Sequence, residues 1–237
     1  MKQTPIKIVI FRSAERNNVF APAWEFPIAE DWITTVNFKK IAKVILAKEK
    51  SMLKSSSKKQ SFIGPFLEVG ATDGYTGLGK KSLTSHYASY NLLDLKHPEI
   101  KKLKKAILVS HARFLEALKI PLYPELYIQC WANVMRKGEQ IKPHIHSVLP
   151  DSYLGGQINV QVQDTSTWYI NPVNQINDPE LYESKNEVGK LTFFQNCVPH
   201  YTDKQVSDTP RITIAFDLVV NAKAPVLSSG KNFRQII

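Results

Sequence analysis

The chain has 237 residues, 43% of them hydrophobic, and a formal net charge of +10. That is enough apolar material for a substantial core, which excludes a disordered segment, and no apolar run is long enough to cross a bilayer. Two cysteines, Cys130 and Cys197, exclude a secreted disulfide framework; both stand in apolar, strand-like stretches and read as buried inert thiols.

In chain order, Met1 to Pro5 leads into an apolar run, Ile6 to Phe11, broken by Lys7. It has neither the length of a signal-peptide core nor a small-residue cleavage site, so a soluble, cytoplasmic protein is expected. Residues 34–54 carry Val36, Ile41, Val44, Ile45 and Leu53 at roughly helical spacing with lysines between them. Ser55 to Gln60 is polar and aperiodic, an exposed linker. Residues 64–80 hold five glycines and no period, which predicts a long loop of the kind used as a lid or substrate contact. It lacks the Gly-Lys-Ser/Thr ending of a phosphate-cradling loop. A second helix is better marked. Pro98 suits its first turn, and Ile100, Leu103, Ile107, Phe114 and Leu118 form one stripe that should pack on a sheet. His111 lies on the same stripe and reads as a core residue.

From Pro121 onward the pattern becomes short strands: Leu126–Met135, Lys142–Val148, Gly156–Gln163, Thr167–Ile170, Gly189–Gln195 and Arg211–Val220. With no helices between them they predict a mainly β fold, an antiparallel barrel or jelly roll. The whole chain, 1–237, reads as one domain: a helical and loop-rich N-terminal wrap over 1–120, the β core over 121–220 and a tail over 221–237. The positive charge raises nucleic acid as a partner. Most lysines, however, fall in 39–59 and 96–105, where they read as the solvated faces of the two helices.

Three histidines of the strand-rich half carry the chemistry. On an extended strand His144 and His146 project to one face while Ile145 packs on the other, and two imidazoles so held make a pair of metal ligands. His200, in Val198-Pro199-His200, is the candidate third ligand from another strand. Eleven residues on, Arg211 and Thr213 share a face of the last strand, where an arginine and a hydroxyl can grip a carboxylate.

The order His-x-(acid or His), a distal His, then Arg-x-Ser/Thr resembles the 2-oxoglutarate and Fe(II)-dependent oxygenase superfamily. More narrowly it resembles the prolyl-hydroxylase-like branch of largely uncharacterised bacterial and phage proteins. Further motifs carry the likeness over residues 126–220: Trp131-Ala132-Asn133-Val134, Pro143-His144-Ile145-His146, a Leu-Gly-Gly turn at Leu154-Gly155-Gly156, Trp168 to Pro172, and Gly189 to Phe194. The resemblance implies a double-stranded β-helix, a cupin-like jelly roll with the N-terminal helices packed on its sheet. It implies Fe(II) on His144, His146 and His200, and 2-oxoglutarate held by Arg211 and Thr213 with Asn133 and Asn159 nearby. Dioxygen and a primary substrate not named by the sequence complete the reaction, with oxidation of a C–H bond and release of succinate and carbon dioxide.

Two departures stand out. Asn159 replaces a tyrosine that often contacts the co-substrate, and His146 stands where most of the superfamily has Asp or Glu. His146 is then a true third ligand, or stands behind the metal with water or substrate in the open position, or yields to Asp151 reaching in from a loop; strand geometry favours the first. The leading expectation is a hydroxylase of a protein side chain or small metabolite. One alternative is a nucleic-acid base demethylase of the same superfamily, supported only by charge; Lys137, Lys142, Lys190 and Lys204 are the basic residues closest in sequence to the site. Another is a non-enzymatic, metal-binding cupin-like protein or structural phage component.

Overall fold

Strand and helix formation follow the two apolar periods of the sequence, and both end on the same central sheet. The structure is a computed structural model describing residues 5–56, 76–79, 81–148, 153–173, 179–220 and 233–237. The elements are β1 (Lys7–Arg12), β2 (Glu25–Trp32), α1 (Phe38–Ser56), α2 (Pro98–Ala117), β3 (Tyr127–Met135), β4 (Leu154–Gln161), β5 (Ser166–Ile170), β6 (Leu181–Lys185), β7 (Lys190–Gln195), β8 (His200–Thr202), β9 (Arg211–Val219) and β10 (Arg234–Gln235). Two short 3-10 helices, Thr84–Ser89 and Leu92–Asp94, precede α2.

The larger sheet has the order β1-β2-β7-β4-β9-β3-β10 and the smaller β6-β5-β8. All pairings are antiparallel. From β4 onward the chain moves to the small sheet for β5 and β6, back for β7, across for β8 and back for β9. A bridge between His144 and His200 adds the segment around His144 to the small sheet's edge. This shuttling between two facing sheets is the double-stranded β-helix, a jelly roll.

Helices cover the outer face of the larger sheet. Ile128, Cys130, Ala132, Val134, Leu154, Ile158, Leu191, Phe193, Ile212, Ile214 and Phe216 meet Phe38, Ile41 and Ile45 of α1 and Ile100, Leu103, Ile107 and Phe114 of α2 in one buried cluster. Each such aliphatic or aromatic side chain contributes about 1.5–3 kcal/mol relative to exposure. Helix α1 is started by Asn37, whose Oδ1 accepts from Lys40 N at 3.1 Å. Helix α2 has Pro98 in its first turn and His97 as its cap. The two starts are tied together by Asn37 N donating to Glu99 Oε2 at 2.7 Å.

Several expectations are sharpened. Both predicted helices form, over 38–56 and 98–117. Lys39, Lys40, Lys43, Lys101, Lys102 and Lys105 are exposed, as solvated faces should be. The N-terminal wrap is not only helices and loops: β1 and β2 form a hairpin, and β2 pairs with β7, so this part extends the sheet. Residues 142–148 do not form a regular strand. Pro143 has no N–H to give and β8 is cut to three residues by Pro199, leaving a single bridge. Leu154-Gly155-Gly156 is no turn but the start of β4. Cys130 is buried, whereas Cys197 is only partly so. Most of the glycine-rich stretch 64–80, residues 57–60 of the linker, most of the tail and Asp151 lie outside the described residues. No described helix is long and apolar enough to cross a membrane.

Candidate metal centre and barrel interior

His144, His146 and His200 converge, offering one nitrogen each within 4.8 Å of the others. The bridge places His144 and His200 face to face, with reciprocal backbone bonds of 3.1 and 3.0 Å. His146 is held by its own backbone N donating to Asn196 O at 2.9 Å, on the turn between β7 and β8. Alternation thus survives locally without a full strand, and Ile145 is turned outward, exposed.

Every Nδ1 of the three is engaged. His144 Nδ1 lies 2.9 Å from Lys142 O and His200 Nδ1 3.1 Å from Val198 O. A backbone carbonyl only accepts, so these Nδ1 atoms carry the proton and leave the Nε2 lone pairs for a metal. Burial pulls the pKa of His144 down to about 4 and that of His200 well below its ordinary value, keeping both rings neutral. His146 Nδ1 meets a carboxylate instead, Asp217 Oδ1, at 2.5 Å. Asp217 faces Gly155 across the β4–β9 pair. A Cβ on Gly155 would stand 2.8 Å from the Phe194 ring and 3.0 Å from His146 Nδ1, so only glycine lets the imidazole lie there. Phe194 packs against His200 and His146, with ring centroids 4.5 and 5.4 Å apart, and Trp131 lies 5.7 Å from His146.

Deeper in the barrel the residues are polar and buried. Asn133 on β3 and Asn159 on β4 both sit directly opposite Thr213 on β9, forming one rung across three strands. Asn133 Nδ2 donates to Thr213 Oγ1 at 3.2 Å, and Thr84 Oγ1 donates to Asn133 Oδ1 at 2.7 Å. Asn159 Oδ1 accepts from Gln157 Nε2 at 3.2 Å. Arg211 is fully buried. Its Nη2 donates to Thr167 Oγ1 at 3.1 Å, while Nε and Nη1 have no hydrogen-bond partner among the described residues. Burial lowers its pKa to about 10, so it stays charged at neutral pH. Lys190 is also buried, but Glu30 neutralises it at 3.3 Å. Arg211 has no such ion pair among the described residues.

Residues 129–217 match the model of a family described as "Putative 2OG-Fe(II) oxygenase". The matched residues run from β3 into β9. The matched segment includes His144, His146, His200 and Arg211. Among solved structures, the chain is similar to a Pseudomonas putida prolyl-4-hydroxylase: 12% identity, 54% of this chain and 68% of that one, TM-score 0.41. A 2OG-Fe(II) oxygenase-family oxidoreductase from Burkholderia pseudomallei gives 16%, 58%, 63% and 0.40, so the chain spans less than two thirds of that protein. AviO1 from Streptomyces viridochromogenes gives 10%, 84%, 91% and 0.49. No curated protein matches the sequence.

The structure brings together His144, His146 and His200 at one place, and Arg211, Thr213, Asn133 and Asn159 in the barrel interior. Reasoning from sequence missed Asp217. Its signal was parity: Asp217 lies on the Arg211–Thr213 face of β9, an acid inside an otherwise apolar run. Lys137, Lys142 and Lys204 are exposed, and Lys190 is consumed by its ion pair. His111 is a core residue of α2, bonded to the Tyr153 hydroxyl at 2.7 Å and held neutral by burial.

Proposed function

We propose that the chain is an Fe(II) and 2-oxoglutarate-dependent oxygenase that hydroxylates a protein side chain or a small metabolite. The observation that carries this reading is Arg211. Leaving a buried charged donor unmet costs on the order of 1–3 kcal/mol or more, so two unmet nitrogens argue for an acceptor that belongs there. A carboxylate offers two oxygens to the guanidinium, and Thr213, which accepts from Asn133, still has its own proton to donate. A barrel that only bound metal, or only served as scaffold, has no use for such a group.

His144, His146 and His200 would hold the iron through Nε2. Bound there, iron supplies dioxygen activation coupled to decarboxylation of the 2-oxo acid, giving succinate and carbon dioxide. The chain's own part is positional. Arg211 and Thr213 hold the far carboxylate, the Asn133–Thr213–Asn159 rung fixes the hydroxyl, and the rings of Phe194, Tyr169 and Trp131 keep bulk water from the histidines. Three neutral imidazoles give the ion no negative charge. Asp217 supplies one from behind His146 and orients the ring.

Anaerobic Fe(II) titration with and without 2-oxoglutarate, read by the visible charge-transfer band, tests this reading together with succinate release in air. The parent should bind one metal per chain and release succinate slowly without primary substrate; His200→Ala should lose both. Undiminished turnover in that variant removes His200 from the metal, and absence of the band in the parent removes the co-substrate.

A further inference from the structure

Tyr169 lies on β5 with its side chain inside the barrel, directly opposite His200 in the β5–β8 pair. It is fully buried, and its ring runs nearly parallel to that of His200, 26° between planes at 5.8 Å. Phe194 and Tyr182 pack on it at 5.3 and 6.3 Å, so the phenol has no freedom to swing away. Its hydroxyl is buried without a hydrogen-bond partner among the described residues; Thr192 approaches it, but no bond of good geometry closes. Thr167, two residues before Tyr169 and on the same face of β5, accepts from Arg211 Nη2 at 3.1 Å, which brings the guanidinium to this face of the strand.

Two neighbouring groups, one from each sheet, therefore present buried donors with nothing to receive them. A phenol carries its proton at neutral pH and can give it to an acceptor. A lone orphan hydroxyl in an apolar pocket is a packing compromise. An orphan hydroxyl beside an orphan guanidinium shares its need for an oxygen anion.

We propose that Tyr169 donates a hydrogen bond from the small sheet to the far carboxylate of 2-oxoglutarate, making the clamp Arg211, Thr213 and Tyr169. This rests on the co-substrate reading above. Asn159, opposite Thr213 on β4, is left to brace its rung.

Tyr169→Phe removes the one oxygen and keeps the ring. The test is calorimetric binding of 2-oxoglutarate, and of 2-oxopentanoate, which lacks the far carboxylate, to the anaerobic Fe(II) protein. The variant should bind Fe(II) like the parent and lose about ten- to a hundredfold in 2-oxoglutarate affinity, the value of a buried bond to a charged group. Its affinity for 2-oxopentanoate should not change. Unaltered 2-oxoglutarate binding, or an equal loss for both acids, overturns the assignment, because a role in packing alone does not read the far carboxylate. If the parent itself binds neither acid, the co-substrate reading fails first, and that outcome is distinct from a Tyr169→Phe that matches a binding parent.

Discussion

Strand β9 carries Ile212, Ile214, Phe216 and Leu218 on one face and Arg211, Thr213, Ala215 and Asp217 on the other, and seven of these eight residues are buried. The aliphatic and aromatic face meets the helices; the face with Arg211 lines the barrel. Burial is the same, but its consequences are opposite. On the helix face every buried atom gains by leaving water. On the barrel face each polar group must find a partner, and the protein leaves Arg211 and Tyr169 short of one. One strand thus divides the work: the face that stabilises the fold has no chemistry, and the face with chemistry is stabilised incompletely until something binds.

The comparison breaks most visibly at Phe216. Its ring lies over Gly156, where a Cβ would come within 2.1 Å, and meets Phe193 edge-on at 5.7 Å. Phe216→Ala should lower stability by about 3–5 kcal/mol in urea denaturation while Fe(II) affinity of the folded protein stays within a few fold. Metal affinity falling in proportion to stability would mean that the two faces are not separable.

Arg211 is the opposite case. Arg211→Lys keeps the charge and loses the planar fork, so 2-oxoglutarate affinity should fall by about 2–3 kcal/mol with Fe(II) affinity retained. Arg211→Met removes the buried charge altogether. It should abolish co-substrate binding yet leave the ligand-free protein as stable as the parent or more so, since an unpaired buried charge is a cost to the fold. A large loss of stability in Arg211→Met, measured without 2-oxoglutarate, would show that the arginine is structural.

Much of this division is legible in the sequence. Alternation puts Arg211 with Thr213 and, through the His-x-His spacing, His144 with His146, because side-chain parity depends only on local extension. The apolar stripes of both helices are visible because nothing interrupts them. What stays hidden is non-local. Strand β2, Glu25 to Trp32, contains Pro27 and three acids, so its pattern reads as a loop. Only the pairing with β7 and the burial of Glu30 against Lys190 reveal it as sheet. β6 is polar for the same reason, Ser184 turning inward to give its hydroxyl proton to Glu30. The partners of Asp217 and Tyr169 escape a sequence reading too, since each is defined by a residue tens of positions away.

The finest division on the barrel face lies between His146 and Asp217, bonded at 2.5 Å. If Asp217 acts on the metal through His146, Asp217→Asn should weaken Fe(II) binding by about ten- to a hundredfold, the usual effect of removing a carboxylate behind a ligating histidine. The same substitution should have the opposite sign once the histidine is gone. His146→Asp recreates the two-histidine, one-carboxylate triad but sets a second carboxylate against Asp217, and two like charges about 4–5 Å apart at a protein surface repel by a few kcal/mol. Fe(II) should therefore bind His146→Asp less tightly than His146→Asp/Asp217→Asn, while Asp217→Asn alone binds less tightly than the parent. Isothermal titration of the four proteins closes the cycle. Should Asp217→Asn weaken binding in both backgrounds, Asp217 is supporting the strand rather than the imidazole, and the charge at this centre has to come from elsewhere.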